Sequence, residues 1–418
     1  MTITVFPKKY KGNILIPSSK SDTQRALLAA SLSYGKSILK NVGISEDDKA
    51  MLSTIKQLGA SVKSINENDL EIDGIESFPS EITLHCGESG LGSRLLISIC
   101  ASQTGKYTLN AEGSLLKRTM SFYVDFLKKH NLQAKFFNDH YLPVSLIGGL
   151  NADEFVVDGT QSSQYISGLL MALPLLKGNS SLKAENLKSI PYVDMTIQTL
   201  KQFGIQIQRT SKESFFINGN QSYQSTEYTV ESDWSSASFW LVASALGQEI
   251  TVSGLNIDSL QADRKIIEIL ISAGCELKIE NGQISFEGKN RKGFEADLTD
   301  CPDLFPISTI FAVLSPGTSV LHGVERLINK ESNRGKVLQE GLAKLGVAIQ
   351  LNKNTMIIEG VRSVSGGVIS SHNDHRIAMA FAILGMFSES ALSIENAEAV
   401  SKSYPNFWEE IAKLKFRF

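Results

Sequence analysis

The stretch PSSKSDTQRALLAA near the start of the chain sets a lysine, a serine and an arginine at the mouth of an alanine-rich apolar segment. Ser19 and Asp22 are residue types that cap helices, so we expect a helix to begin near Lys20. Ser21 and Arg25 then lie four residues apart on one face of that helix. A helix start presents free N–H groups and partial positive charge, so the added cationic groups predict an anion-binding site. Taken alone, the segment is equally compatible with a capped surface helix.

The composition indicates what kind of protein must position these residues. The 418 residues are 42% hydrophobic and 20% charged, which is typical of a globular chain long enough for two or more domains. A net charge of -3 disfavours a nucleic-acid or membrane-surface protein and favours small-molecule partners. The start MTITVFPKKY has no leader pattern, and the apolar run AMAFAILGMF is too short to span a bilayer. We therefore expect a cytoplasmic protein. We also expect a monomer, although none of these features determines the oligomeric state.

Neither cysteine nor histidine spacing predicts a metal site. Cys86, Cys100, Cys275 and Cys301 show no CxxC or Cys/His pattern, so we expect reduced cysteines in the core and no disulfide framework. The segment HNDH, residues 372–375, has no accompanying carboxylate or cysteine set, and we interpret it as a helix opening rather than a metal site.

Helices and strands recur in a pattern that predicts internal repeats. A polar or glycine-containing opener, an apolar helix, a short strand and a second helix recur at roughly 70-residue intervals, in about six copies. Each copy is predicted to be a mixed α/β unit with one buried helix and one amphipathic helix. Three copies around three buried helices would form one domain. We expect two similar halves, with a paired crossing strand in the polar stretch at residues 220–233.

The repeat plan and the segments SKSDTQR, DGTQSSQYISGLLMA and NKESNR resemble those of the enolpyruvyl transferase family, in particular its shikimate-pathway members. The resemblance covers essentially the whole chain. It implies two α/β domains, each of three βαβαββ units, whose buried helices converge with their N-termini on a shared cleft. The expected domains are residues 1–16 with 231–418, and the inserted residues 17–230, with hinges near 12–17 and 220–233.

The resemblance also implies a reaction and its binding residues. The enolpyruvyl group of phosphoenolpyruvate would pass to the 5-hydroxyl of shikimate 3-phosphate. The matching segments, which also include KSIPYVDMT, CPDLFP, GESGLGSR, AEGSLLKRTM, NDHR and SKSYPNF, assign shikimate 3-phosphate to Ser21, Arg25, Ser162, Ser163, Gln164, Ser189, Asp303 and Lys330. They assign phosphoenolpyruvate to Lys20, Gly90, Arg118, Gln164, Arg334, Arg376 and Lys402. Singly, SSQ is more often a helix cap and NKESNR a solvated helix face, but their shared order in successive repeats favours function.

The implied chemistry requires proton transfer in both of its steps. The hydroxyl attacks C2 of phosphoenolpyruvate while C3 gains a proton, and the tetrahedral intermediate then expels phosphate. Asp303 and Glu331 are the carboxylates we assign to acid/base catalysis, with Lys20 and Lys402 as cationic or proton-relaying partners. The sequence leaves open which group moves which proton. The scheme requires no metal or organic cofactor.

The chain departs from the family pattern at several positions, two of them in loops that the resemblance assigns to phosphoenolpyruvate. In the glycine loop, Glu88 stands where the family usually has an asparagine, next to the expected anion site at Gly90. Thr119 follows Arg118 where proline is usual, so we expect a less rigid loop there. The orientation of Glu88 and its effect on inhibitors stay open at this level.

Two other functions compete with this interpretation. UDP-N-acetylglucosamine enolpyruvyl transferases share the implied fold and donor, but normally carry a reactive cysteine in the loop that corresponds to residues 111–119. Here that loop is AEGSLLKRT, without cysteine. A non-catalytic anion-binding relative is the second alternative, and the retained lysines and carboxylates argue against it.

Overall fold

The computed structural model describes residues 1–417, with side chains except at positions 138, 416 and 417. The chain divides into two compact units. The inserted unit is Ser18–Glu231, and the terminal unit is Met1–Pro17 together with the chain from Ser232 onward. The boundaries expected from the sequence lie one residue earlier.

The helices follow one another in chain order as α1 (Lys20–Ser31), α2 (Glu46–Gln57), α3 (Gly90–Ser102), α4 (Ser121–Lys129), α5 (Ser163–Ala172), α6 (Ile190–Gln202), α7 (Trp234–Ala245), α8 (Ile266–Ser272), α9 (Phe305–Val313), α10 (Arg334–Lys344), α11 (His375–Gly385) and α12 (Phe407–Lys413). None of the helices in residues 1–417 is long and apolar enough to cross a membrane.

The strands of the first half are β1 (Thr2–Val5), β2 (Lys9–Leu15), β3 (Ser33–Tyr34), β4 (Lys36–Lys40), β5 (Ser61–Ser64), β6 (Leu70–Asp73), β7 (Glu81–His85), β8 (Lys106–Asn110), β9 (Ala134–Asn138), β10 (Tyr141–Ile147), β11 (Glu154–Asp158), β12 (Ser180–Glu185) and β13 (Ile207–Arg209). Those of the second half are β14 (Ser214–Ile217), β15 (Tyr223–Gln224), β16 (Glu227–Thr229), β17 (Glu249–Ser253), β18 (Glu276–Glu280), β19 (Gln283–Glu287), β20 (Glu295–Asp297), β21 (Thr318–His322), β22 (Ile349–Leu351), β23 (Thr355–Glu359), β24 (Gly367–Ser370), β25 (Leu392–Glu395) and β26 (Lys415–Arg417).

Several sheets share one strand order. The sheets β7-β8-β10-β9, β11-β12-β14-β13 and β20-β21-β23-β22 each begin with a parallel pair and continue antiparallel. In each of them a helix links the two parallel strands, because a parallel pair requires a crossover connection. The sheet β16-β4-β6-β5 has the same order. The remaining sheets are β18-β19-β17-β2-β26, β1-β25-β24 and β15-β3.

The two segments that cross between the units are both paired strands. β2 lies parallel to β17, with Lys11 opposite Glu249. β16 lies parallel to β4, with Glu227 opposite Ile38. The crossing strand predicted within the polar stretch 220–233 is therefore confirmed.

One helix of each strand–helix–strand segment is buried on nearly all sides. These helices are α1, α3 and α5 in the inserted unit and α7, α9 and α11 in the terminal unit. Every residue of α7 is buried, including Trp234 and Trp240. Burial of a large apolar side chain contributes about 1.5–3 kcal/mol, so a helix that is apolar all round is stable only when surrounded by other elements.

Polar side chains cap the buried helices except α9, which follows Leu304 without a side-chain cap. Ser19 starts α1, as predicted, and its side chain accepts from the N–H of Asp22. Asp374 caps α11, which begins at His375, so the HNDH segment opens a helix as predicted. A cap satisfies one of the unpaired N–H groups of the first turn and leaves the others available. The four cysteines are free and buried, as expected, and burial raises the pKa of the Cys86 thiol to about 12.

Candidate active site

Lys20 is held at the first residue of α1 by a carboxylate from the next helix. Its Nζ lies 2.8 Å from Oδ2 of Asp47, in the first turn of α2. The Lys20 side chain is 18% exposed, so the ammonium is oriented but still reachable. Sequence reasoning missed Asp47. Its available signal was an acidic first turn after the helix cap Ser45.

Arg25 lies one turn further along α1, and it is deeply buried. Nε donates to Thr196 Oγ1 (2.8 Å), Nη1 to the Ser21 carbonyl (2.7 Å) and Nη2 to the Tyr192 carbonyl (3.2 Å). Burial lowers the pKa of Arg25 to about 10, and the charge of Asp22 opposes that shift. The guanidinium therefore links α1 to α6, and these protein acceptors fix its orientation.

Close packing of two buried helices brings the Ser-Ser-Gln segment to the glycine loop. α5 approaches α3 at Gly168, where an added Cβ would lie 2.6 Å from Ser98 Oγ and 2.8 Å from the Arg94 carbonyl. At the start of α5, Gln164 Oε1 accepts from Arg94 Nη1. The Arg94 guanidinium also lies 5.0 Å from the centroid of the Tyr165 ring. The interhelical packing thus orients the side chain of Gln164.

Gly90, the first residue of α3, lies directly against two guanidinium groups. A Cβ at this position would be 2.6 Å from Arg118 Nη1 and 3.2 Å from Arg94 Nη1. Any side chain would therefore displace Arg118. Two guanidinium groups beside the N-terminus of a buried helix form a strongly anion-attracting corner. The structure thus brings together Gly90, Arg118 and Gln164 through Arg94.

The Glu88 carboxylate is engaged by the loop that leads to Arg118. Its Oε2 accepts from the Ser114 N–H (2.8 Å) and from the Ser114 hydroxyl (2.7 Å). Gly113 has φ +55°, and a Cβ there would lie 2.3 Å from the Glu88 carboxyl carbon. Glu88 therefore ties the glycine loop to the turn that ends at Arg118.

Of the four predicted serines, Ser21 lies in the first turn of α1 and the other three lie at the starts of α5 and α6. Ser162 caps α5 by accepting from the Gln164 N–H (3.2 Å), and Ser163 is 4% exposed. Ser189 precedes α6 in the left-handed region, with φ +55° and 3% exposure. A non-glycine residue in this region is uncommon and indicates a special local requirement.

In the terminal unit, Arg334 is the centre of a buried ionic cluster. Its Nε donates to Asp374 Oδ2 (2.9 Å), Nη1 to Asp303 Oδ1 (2.7 Å) and Nη2 to Glu331 Oε2 (2.8 Å). The side chain is 1% exposed. Burial lowers the pKa of Arg334, but the three carboxylates outweigh it and raise the pKa well above its usual value. Asp374 was missed as a site residue, although its position before a helix start was visible.

Asp303 connects this cluster to Arg376 and Lys330. Its Oδ2 lies 3.5 Å from Arg376 Nη2, and its Oδ1 lies 3.6 Å from Lys330 Nζ. Burial raises the pKa of Asp303, but the cations Lys330, Arg376 and Arg334 outweigh it and hold the pKa well below its usual value. The carboxylate is therefore ionised at neutral pH.

Lys402 lies near the same helix start as Arg376. Its Nζ donates to the Asn373 carbonyl (3.0 Å), one residue before the cap of α11, and it is 8% exposed. Burial lowers the pKa of Lys330, and Asp303 opposes that shift. Each predicted residue of the terminal unit thus belongs to the cluster or borders it.

Each unit therefore has its own set of oriented cations. The inserted unit offers Lys20, Arg94 and Arg118 at helix starts that also present hydroxyl and amide groups. The terminal unit offers Arg334 and Arg376 beside carboxylates that can accept or donate protons. Such sets can bind anions and catalyse proton transfer next to them.

A family model, curated relatives and solved structures all match nearly the whole chain, and all are named as the same enzyme. The family model for EPSP synthase (3-phosphoshikimate 1-carboxyvinyltransferase) matches residues 6–411. A 3-phosphoshikimate 1-carboxyvinyltransferase of Clostridium kluyveri is 38% identical over 414 residues, which cover 99% of this chain and 97% of that protein. Its namesake in Clostridioides difficile is 35% identical over 426 residues, with the same coverage. The structure of an EPSP synthase from Acinetobacter baumannii superposes with a TM-score of 0.82 at 27% identity, and both chains are fully covered.

Proposed function

This chain belongs to the EPSP synthase family, and we propose that the cations and carboxylates of its two units bind and convert the two substrates of that family's reaction. The reaction is the transfer of the enolpyruvyl group of phosphoenolpyruvate to the 5-hydroxyl of shikimate 3-phosphate, with release of phosphate. It is a step of the shikimate pathway, which leads to the aromatic amino acids. The chain is accordingly a transferase.

The proposed shikimate 3-phosphate site lies mainly in the inserted unit. Ser162, Ser163 and Ser189 are at helix starts, where hydroxyl and N–H groups suit a phosphate. Ser21 and Arg25 share one face of α1, and Gln164 offers an amide to the hydroxylated ring. From the terminal unit, we assign Asp303 to the reacting hydroxyl and Lys330 to the same substrate.

The proposed phosphoenolpyruvate site draws on the remaining cations. Supporting contacts are the close approach of Arg118 to Gly90 and the engagement of Arg334 and Arg376 with Asp303. A carboxylate and a phosphate on one small molecule require several converging cations. We assign this substrate to Lys20, Gly90, Arg118, Gln164, Arg334, Arg376 and Lys402.

One observation carries the catalytic proposal: a single buried guanidinium, that of Arg334, holds both candidate acid/base carboxylates. In the first step the 5-hydroxyl oxygen bonds to C2 and loses its proton, while C3 gains one. In the second step C3 loses a proton and the C2–O bond to phosphate breaks. We assign these transfers to Asp303 and Glu331, with Lys20 and Lys402 as cationic partners.

Substrate binding should make Asp303 a better base. The low pKa of Asp303 comes from its neighbouring cations, which outweigh the effect of burial. Anionic groups of phosphoenolpyruvate at Arg334 and Arg376 would offset part of that positive charge. The pKa of Asp303 then rises towards a value that suits proton transfer.

We also propose that ligand binding closes the two units about the connections near residues 12–17 and 220–233. The support is that residues of both units are assigned to the same substrate. Their positive charges repel one another, and a bound anion would offset that repulsion. A single chain supplies all of these groups, which supports a monomer as the working form. Four buried free cysteines support a reducing, cytoplasmic compartment.

The decisive experiment is phosphate release from phosphoenolpyruvate with either of two acceptors. We expect turnover with shikimate 3-phosphate and none with UDP-N-acetylglucosamine, because the loop at residues 111–119 lacks a cysteine. Asp303→Ala is the matched inactive variant. Turnover with the nucleotide sugar alone would contradict the proposal, and tight binding of both substrates without phosphate release would indicate a non-catalytic relative.

A further inference from the structure

Asp22 has no role in the reaction as proposed, although it lies within the SKSDTQR segment. It is the third residue of α1, directly after Lys20 and Ser21, and it is 4% exposed. An acidic residue in the first turn is favoured by the helix dipole. Burial of a carboxylate nevertheless costs free energy unless hydrogen bonds compensate for lost water. The contacts of this carboxylate should therefore account for its position.

The Asp22 carboxylate holds the crossing segment, residues 227–231. The Tyr228 hydroxyl donates to Oδ1 (2.6 Å), and the Glu231 N–H donates to Oδ2 (2.9 Å). The Ser19 N–H donates in turn to the Glu231 carbonyl (2.7 Å), while the Asp22 N–H donates to Ser19 Oγ (3.4 Å). These bonds form a closed ring through residues 19, 22 and 231.

Lys20 and Ser21 are the two residues enclosed by that ring. Their backbone is tied on one side through Ser19 and on the other through Asp22. The start of α1 is thus held by hydrogen bonds to Glu231 in addition to its Ser19 cap. Loss of the carboxylate would remove two of the bonds to the crossing segment and leave the backbone bond from Ser19, the bond from Asn41 Nδ2 to the Val230 carbonyl (2.9 Å) and the pairing with β4.

We propose that Asp22 is a positioning residue, which ties the first turn of α1 to the crossing segment and so fixes Ser21 for binding of shikimate 3-phosphate, with Lys20 held beside it. This inference rests on the proposed function, because it assumes that Ser21 contacts that substrate. The competing explanation is an acid that only stabilises the helix. Such a residue would change the free energy of unfolding and leave ligand affinity unaltered.

The charges around Asp22 allow it to accept both bonds near neutral pH. Burial raises the pKa of Asp22 to about 6, Tyr228 and the Glu231 N–H lower it, the Glu231 charge raises it, and Arg25 lowers it. Glu227 lines the cavity beside Asp22, and α6 contributes uncharged methionine and glutamine side chains to it. The carboxylate is thus mainly ionised above pH 7 and is an acceptor at both oxygens.

The test is calorimetric titration of the full chain with shikimate 3-phosphate near neutral pH. Asp22→Ala should weaken binding roughly tenfold, which corresponds to about 1.4 kcal/mol of binding free energy. Asp22→Asn should restore affinity to within about threefold, because its amide oxygen accepts from Glu231 and its NH2 donates to Tyr228. Tyr228→Phe should lie between these two.

Tyr223→Phe is the matched control. Tyr223 precedes the crossing segment and its hydroxyl donates to the Met171 carbonyl (2.6 Å), so the variant loses a buried bond without touching Asp22. It should bind shikimate 3-phosphate as the wild type does. Wild-type affinity in Asp22→Ala, or an Asp22→Asn variant as weak as Asp22→Ala, overturns the inference. If Asp22→Ala does not fold, Tyr228→Phe against Tyr223→Phe decides the question.

Phosphate release by the wild type separates this inference from the proposed function. A wild type that binds shikimate 3-phosphate but releases no phosphate from phosphoenolpyruvate refutes the proposed function. A wild type with full turnover whose Asp22 and Tyr228 variants all bind normally refutes only the positioning role.

Discussion

Glu331→Gln separates proton transfer from binding in the ionic cluster of the terminal unit. Glu331 accepts from Arg334 Nη2 at 2.8 Å, and an amide oxygen can still accept there. Arg334 keeps its bonds to Asp374 and Asp303, so its position should hold. Phosphoenolpyruvate affinity should therefore change little, and the stability loss should not exceed about 1.5–3 kcal/mol for one charged hydrogen bond. The chemical step should slow by about 100- to 10,000-fold, equivalent to about 2.7–5.4 kcal/mol of activation free energy.

The assay is single-turnover rapid-quench kinetics with both substrates saturating. Asp374→Asn is the control, because it neutralises another carboxylate of the same guanidinium. Asp374 is completely buried, and the proposal assigns it no contact with either substrate. That variant should lose stability, by about 3 kcal/mol, and keep a near-normal chemical step. An unimpaired chemical step in Glu331→Gln, or an equal slowing in both variants, would refute a proton-transfer role for Glu331.

Further predictions concern substrate assignment, closure and pH. Arg25→Ala should mainly weaken shikimate 3-phosphate and Arg118→Ala mainly phosphoenolpyruvate, each by roughly 10- to 150-fold, and calorimetric titrations with the reverse pattern would overturn the assignment. Small-angle scattering should show a smaller radius of gyration with both ligands, and an unchanged radius at saturation would count against closure. Because the pKa of Asp22 is raised from 3.8 to about 6, the protonated form stabilises the fold; this contribution is complete below pH 3.8 and is lost as the pH rises through 6. Urea unfolding should show that loss in the wild type and not in Asp22→Asn, whereas parallel pH profiles would contradict the shift.

The sequence already predicts the parts of the fold that depend on local chemistry. The start of α1 follows from a capping serine before an apolar run, and the start of α11 follows from the HNDH segment. The buried helices are predicted because they lack a polar face, which leaves no side for solvent. The crossing strand was visible as a polar stretch between two sets of similar helices. Capping, hydrophobic patterning and repetition each act within short segments, so one chain suffices to detect them.

Residue roles came from a family resemblance rather than from patterning. The segments SKSDTQR and NKESNR indicate which residues of this chain correspond to binding residues of the family. The family model matches residues 6–411. The individual assignments to substrates remain proposals for mutagenesis.

Only the tertiary structure decided which groups meet. Asp47 pairs with Lys20 from a different helix, and Asp374 reaches Arg334 across 40 positions of the chain. Gln164 meets Arg94 because α5 and α3 pack at Gly168, where a side chain would clash. Asp22 resembled an ordinary capping residue until the crossing segment folded against it. The physical reason is that such contacts depend on how the helices and sheets pack, and hence on distances of a few ångströms between residues far apart in the chain.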